Sequence, residues 1–157
     1  MSFILILEDD QTTSERLQTL IERELDEPDL SIDIIETERD FRFGWLEKLR
    51  AGDVPAPDVI VIDIMLLWSF PERNADPRPL DVVEGGFHLA GIRCLDAIRA
   101  EPRLRRCKCL FYTALTSADL TEMGANLPGD IRLVTKDQNG LEVARFVKSW
   151  LIPLQPR

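Results

Sequence analysis

The chain has 157 residues, 45% of them hydrophobic and 30% charged, with a formal net charge of −9. That length suffices for one domain with a substantial core. The acidic balance argues against nucleic-acid binding through a basic surface, which takes clustered Lys and Arg, and no apolar run is long enough to span a membrane.

Residues 3–7, Phe3-Ile4-Leu5-Ile6-Leu7, read as a first strand, followed at once by Glu8-Asp9-Asp10. With no basic stretch before it and an acidic turn after five apolar residues, this start is a strand and not a signal peptide. Thr12 with Glu15 resembles a capping box, and Leu17, Leu20, Ile21 and Leu25 follow helical spacing. Leu30, Ile32, Ile34 and Ile35 form a second strand. Phe41, Trp45 and Leu49 recur every fourth residue in a second helix that Gly52 stops. Val59-Ile60-Val61-Ile62 is an apolar run between Asp58 and Asp63, the pattern of a strand buried on both faces.

Residues 67–86 show no clean period and are interrupted by Pro71, Pro77 and Pro79. A structureless stretch of that length in a compact domain reads as an insertion. Trp68 and Phe70 inside it are either a small satellite core or an exposed contact. Phe87, Ala90, Gly91, Cys94, Leu95 and Ile98 give a third helix, ended by Pro102. Residues 107–112 form a fourth strand, 117–127 a short helix weakened by Gly124, and 131–135 a fifth strand. Val143, Phe146, Val147, Trp150 and Leu151 mark the last helix. Residues 1–152 are expected to form a single domain and 153–157 a frayed tail.

Strands alternating with helices imply right-handed crossovers and a doubly wound α/β fold. The expected architecture is flavodoxin-like, a five-stranded parallel sheet in the order 2-1-3-4-5. Strands one and three are then neighbours at the switch point, which sets Asp9 and Asp10 beside Asp63. Thr113 ends strand four and Lys136 ends strand five, so both project to the same edge. Carboxylates gathered there repel one another unless a cation intervenes. Magnesium suits them, because it accepts one or two carboxylates and keeps waters for the rest of its octahedron. Phosphoryl transfer to a carboxylate is a known covalent route. Asp9 and Asp10 are equally the residues that cap a helix N-terminus.

The three cysteines, Cys94, Cys107 and Cys109, are an odd number without framework spacing, which suggests reduced thiols in a cytoplasmic protein. Cys107 and Cys109 alternate on a predicted strand and share one face. With only His88 besides, the ordinary buried-thiol reading outweighs a structural zinc site.

The chain resembles the receiver domains of two-component response regulators. Ile4-Leu5-Ile6-Leu7-Glu8-Asp9-Asp10 resembles the family's first strand and acidic pair, falling on Glu8 and Asp9. Residues 58–66 resemble the phosphoacceptor strand and turn, with the acceptor on Asp63. Phe111-Tyr112-Thr113-Ala114 resembles the end of strand four with its switch hydroxyl, Val134-Thr135-Lys136 the strand-five lysine, and Gly86-Phe87-His88-Leu89 the start of the third helix. The resemblance implies Mg2+ held by Asp9 and Asp63, by Glu8 through water, and by the Met65 main-chain carbonyl. It implies that Asp63 attacks a phosphohistidine on a histidine kinase or phosphotransfer protein and that Lys136 pairs with the phosphoryl oxygens. Thr113 then swings in, shifting a surface around the fourth helix, fifth strand and fifth helix. Such a protein is a phosphoacceptor with autophosphorylation and autodephosphorylation activity rather than an enzyme. No output domain follows the last helix, so a stand-alone protein acting through an output partner or a homodimer is expected.

Three departures stand out. Leu67 takes the place of a proline, Asp137 follows the lysine where the family has a cis proline, and Leu133 replaces the switch aromatic. A cis bond before a non-proline residue costs ~2.5–4 kcal/mol, so the Lys136–Asp137 peptide is expected trans. These departures keep open a second reading, a receiver-like adaptor that binds a partner without phosphorylation through the insertion or the switch face. A haloacid-dehalogenase-type phosphohydrolase needs a second Asp two residues after the nucleophile, where Met65 stands. A flavodoxin needs a phosphate-cradling loop where Glu8-Asp9-Asp10 would repel the phosphate.

Overall fold

The computed structural model describes residues 2–70, 77–136 and 140–151. Its strands are β1 (Ser2–Leu7), β2 (Leu30–Ile35), β3 (Val59–Ile62), β4 (Lys108–Thr113) and β5 (Arg132–Thr135). They form one parallel sheet in the order β2-β1-β3-β4-β5, the order that alternating elements predict. In register, Leu7 lies opposite Ile62 and Ile62 opposite Phe111. Glu8 and Asp63 therefore leave the sheet level with each other.

Alternation along the strands divides the side chains between two cores. Phe3, Leu5, Leu7, Ile60, Ile62 and Phe111 face one, while Ile4, Ile6, Val59, Val61, Leu110 and Val134 face the other. All four β3 side chains are buried, as a central strand covered on both faces requires.

The second core is closed by α1 (Gln11–Leu25) through Leu17, Ile21 and Leu25, and by α5 (Leu141–Leu151) through Val143, Ala144 and Val147. The first is closed by α2 (38–51), α3 (Ala90–Ala100) and α4 (Ser117–Glu122). Helix α2 runs from Glu38–Asp40 through a π-helical turn, Phe41–Trp45, to Leu46–Ala51. Phe41 and Trp45 stack with ring centroids 5.7 Å apart. Gly52, at φ 88°, stops the helix as its place after the last apolar residue predicts.

The structure corrects several local readings. Helix α1 is capped by Asp10, whose Oδ1 accepts from the Thr13 N–H at 2.7 Å, so Thr12 lies inside the helix. The capping box of this chain is instead at Thr116 and Asp119, ahead of α4. That helix stops at Glu122, because Gly124 at φ 71° turns the chain away. Phe87 belongs to a 3-10 turn, Phe87–Leu89, and is 57% exposed, so the α-helix and its core face begin at Ala90. Within 67–86 the chain forms a short helix, Leu80–Gly85, that buries only Val82. One buried residue in six cannot produce a readable period. Trp68 is buried edge-on against Phe43, apart from both cores. Residues 71–76 of the expected insertion, Asp137 with its expected trans peptide, and the tail 153–157 lie outside the described residues.

Candidate functional site

Three strand ends deliver the site. Backbone pairing continues one residue past the strands: the Glu8 N–H donates to the Ile35 carbonyl at 3.1 Å and the Asp63 N–H to the Leu7 carbonyl at 2.8 Å. Lys136 follows β5, its N–H donating to the Thr113 carbonyl at 2.9 Å. Glu8 and Asp63 are buried. The Lys136 ammonium bridges them, 2.7 Å from Glu8 Oε2 and 2.6 Å from Asp63 Oδ2.

The other carboxylate oxygens meet backbone N–H groups. Asp10 donates to Glu8 Oε1 at 3.1 Å, Met65 to Asp63 Oδ1 at 3.1 Å, and Leu67 to Asp9 Oδ2 at 3.0 Å. Asp9 thereby holds the turn that leaves Asp63. Asp10 points to the α1 N-terminus and stays out of the cluster; its hydrogen bonds with Thr13 keep its carboxyl below the usual range.

Glu8, Asp9 and Asp63 each offer an oxygen within 4.8 Å of the others. Among the described residues, three carboxylates against one ammonium leave an excess of negative charge in a poorly hydrated place. Burial, reinforced by the charge of Asp63, pushes Glu8 up to about 7, and burial also raises Asp9. Burial alone would lower Lys136, but its attraction to Asp63 and hydrogen bonds to Asp63 and Glu8 hold it above its ordinary value. An all-oxygen donor set with uncompensated charge fits a hard divalent cation.

Of the expected residues, Glu8, Asp9, Asp63 and Lys136 converge. Met65 is fixed at the turn through its N–H. Thr113 is fully buried at the end of β4, its hydroxyl accepting from the Leu115 N–H at 3.4 Å. Leu133 is partly buried against the first core. His88 packs edge-on to Phe87, away from the cluster.

Two supports escape a reading by sequence. The first is Gly91, whose N–H donates to the Ile64 carbonyl at 2.8 Å. A Cβ there would lie 2.3 Å from the Asp63 carbonyl oxygen and 2.5 Å from the Ile64 Cα. Helix α3 thus rests directly on the backbone that carries Asp63. A glycine inside a helical pattern signals close packing, but not against what. The second is Glu38, fully buried and gripped by the Arg93 fork at 2.7 Å on each oxygen and by Arg42 at 2.8 Å. The Leu67 and Trp68 carbonyls accept from the Glu38 and Arg39 N–H groups at 2.9 and 3.0 Å. The turn after Asp63 therefore caps α2. A pairing across 55 residues leaves no local trace.

No family model matches the chain, and no curated protein matches it. Among solved structures, it is similar to the Mn2+-bound form of response regulator Rcp1, at 18% identity and a TM-score of 0.59, over 99% of this chain and 98% of that one. It is similar to the receiver domain of sensor histidine kinase PA1611 from Pseudomonas aeruginosa PAO1, which has a magnesium ion in its active-site cleft, at 17% identity and a TM-score of 0.57, over 96% and 97%. The signal receiver domain of a DNA-binding response regulator from Colwellia psychrerythraea 34H is 20% identical, with a TM-score of 0.58, over 96% and 98%. Strand order, sheet-edge cluster and these likenesses along nearly the whole length agree: the chain has the fold of response-regulator receiver domains.

Proposed function

We propose that the protein is a phosphoacceptor of phosphorelay signalling that takes a phosphoryl group on Asp63 in the presence of Mg2+. One observation carries this reading: the Lys136 ammonium clamps Asp63 inside a buried carboxylate cluster at the carboxyl edge of the sheet. Asp9 and Asp63, with Glu8 and the Met65 main chain, would hold the cation. The ion supplies charge neutralisation and a seat for phosphoryl oxygens. Manganese and magnesium in two of the similar structures support that assignment.

The donor is a phosphohistidine on a histidine kinase or phosphotransfer protein. An Asp63 oxygen forms a bond to phosphorus as the N–P bond breaks, and the imidazole leaves with the electron pair. Lys136 then transfers its ion pair from the carboxylate to the phosphoryl oxygens, so its buried charge is never left unmatched. The Thr113 hydroxyl gives up the Leu115 N–H to reach the phosphoryl group and draws the end of β4 with it. The change passes to the face made by α4, β5 and α5, a charge event biasing a two-state element.

Incubation with magnesium and acetyl phosphate tests this. Intact mass spectrometry is expected to find a gain of one phosphate, sensitive to hydroxylamine and absent in Asp63→Asn. Wild-type protein that gains nothing, yet captures the same partner as Asp63→Asn, would instead make it a phosphate-independent adaptor. Leu133 at the switch-aromatic position favours that second reading.

A further inference from the structure

At the sheet edge opposite Asp63, the start of β4 opens into a cavity of about 530 Å³. Leu104 and Ile131 wall it, Arg105 and Lys108 line it, and the thiols of Cys107 and Cys109 share it. Residues two apart on extended chain point to one side, so both thiols face the same space. Each is half-buried, whereas Cys94 is fully buried in the first core. The two thiols perturb each other. Their interaction pulls Cys109 below the ordinary thiol range, helped by the nearby Arg99 guanidinium and opposed by burial and Asp130. The same interaction, with burial and Asp58, pushes Cys107 up. Cys109 is fixed inside β4, paired with Ile60, whereas Cys107 precedes the strand and has freedom to move, which suits a held attacking thiol and a mobile resolving one. Arg105 makes no ion pair with any described residue, although the chain as a whole is strongly acidic.

We propose that Cys109 and Cys107 form a redox-responsive dithiol whose oxidant is a small anionic disulfide of the glutathione type, seated in this cavity. The apolar wall takes its methylenes, and Arg105 takes a carboxylate. The Cys109 thiolate attacks one sulfur, the S–S bond breaks, and one small thiol leaves as a thiolate and takes up a proton. Cys107 then loses its proton and attacks the Cys109 sulfur, closing a Cys107–Cys109 disulfide and releasing the second small thiol. Two electrons pass from the protein to the small disulfide. Residues two apart on a strand lie about 6.6 Å apart at Cα, at the wide end of the range a disulfide accepts. Cys107 precedes Lys108, the first residue of β4 paired with β3, so it can swing inward. A bridge closed at this reach is readily reversed by thiols.

The test is to incubate reduced protein with glutathione disulfide, then measure intact mass and map peptides, with circular dichroism confirming that each variant is folded. Wild type is expected to lose the mass of two hydrogens in the peptide spanning Cys107 and Cys109. Cys107→Ser is expected to stop with one glutathionyl group on Cys109, and Cys109→Ser to react at least about tenfold more slowly. Arg105→Ala should slow the reaction with glutathione disulfide but not with uncharged 2-hydroxyethyl disulfide. Modification at Cys94, or an unchanged rate in Cys109→Ser, overturns the assignment of the nucleophile. Wild-type protein that stops at the mixed disulfide overturns the resolving role of Cys107. Equal slowing with both small disulfides overturns the anionic seat.

Discussion

Among the described residues, Lys136 is the single cation that makes the carboxylate cluster tolerable. Its ammonium serves Glu8 and Asp63 at once, and removing one member of a buried ion group leaves the others uncompensated. Lys136→Ala is expected to destabilise the protein by about 2–4 kcal/mol in urea unfolding, with part of the loss restored by magnesium. A variant as stable as wild type would mean that water already screens the site. Glu8 makes the complementary prediction. Its folded-state value is raised from 4.5 to about 7, so the folded protein holds that proton more tightly than the unfolded chain. The resulting stabilisation is fully present below pH 4.5 and is lost as pH rises through 7. Asp9, also raised, acts with the same sign. Metal-free stability should therefore show a falling component across that window that Glu8→Gln flattens. An identical pH profile in the variant would mean that protons on other groups set the slope.

At the scale of elements, the site depends on helices resting on the backbone of β3. Gly91 seats α3 on the Asp63–Ile64 peptide, and the Glu38–Arg93 pair ties α2 to α3 around the turn that follows. Gly91→Ala is expected to cost about 1–3 kcal/mol through forced movement of α3 and to slow phosphoryl uptake, because the displaced backbone is that of Asp63. Gly44, in the π turn of α2, has open space where a Cβ would stand. Gly44→Ala should therefore stabilise by about 0.5–1 kcal/mol. Parallel thermal melts of the two variants check both signs, and similar shifts would refute the close approach of α3 at Gly91. The glycine pair also marks what a pattern can and cannot say. Both interrupt an apolar period, and only the neighbour across the interface separates them.

For the whole molecule, a cation bound between β1 and β3 stabilises the folded state by mass action, because the unfolded chain has no such cluster. Magnesium at one hundred times its dissociation constant should add about 2.7 kcal/mol, read as a higher thermal midpoint. Asp9→Asn and Asp63→Asn should each abolish most of that shift. An equal rise in either variant would place the ion elsewhere.

The sequence by itself determined the five strands, their order, and four of the side chains that meet at the carboxyl edge. Short apolar runs broken by turn residues admit few other readings, and a doubly wound sheet aligns its strand ends. The short helix Leu80–Gly85, the cap at Asp10 in place of Thr12, and the start of α3 at Ala90 did not show in the pattern. Each depends on one or two contacts rather than on a repeat. Only the tertiary structure decided that Asp10 leaves the cluster, that Glu8 shares Lys136 with Asp63, and that Gly91 and Glu38 support the turn between them. The reason is physical: periodicity records which face of an element is apolar, whereas a charge pair or a close approach joins residues far apart in the chain and exists only once the elements have packed.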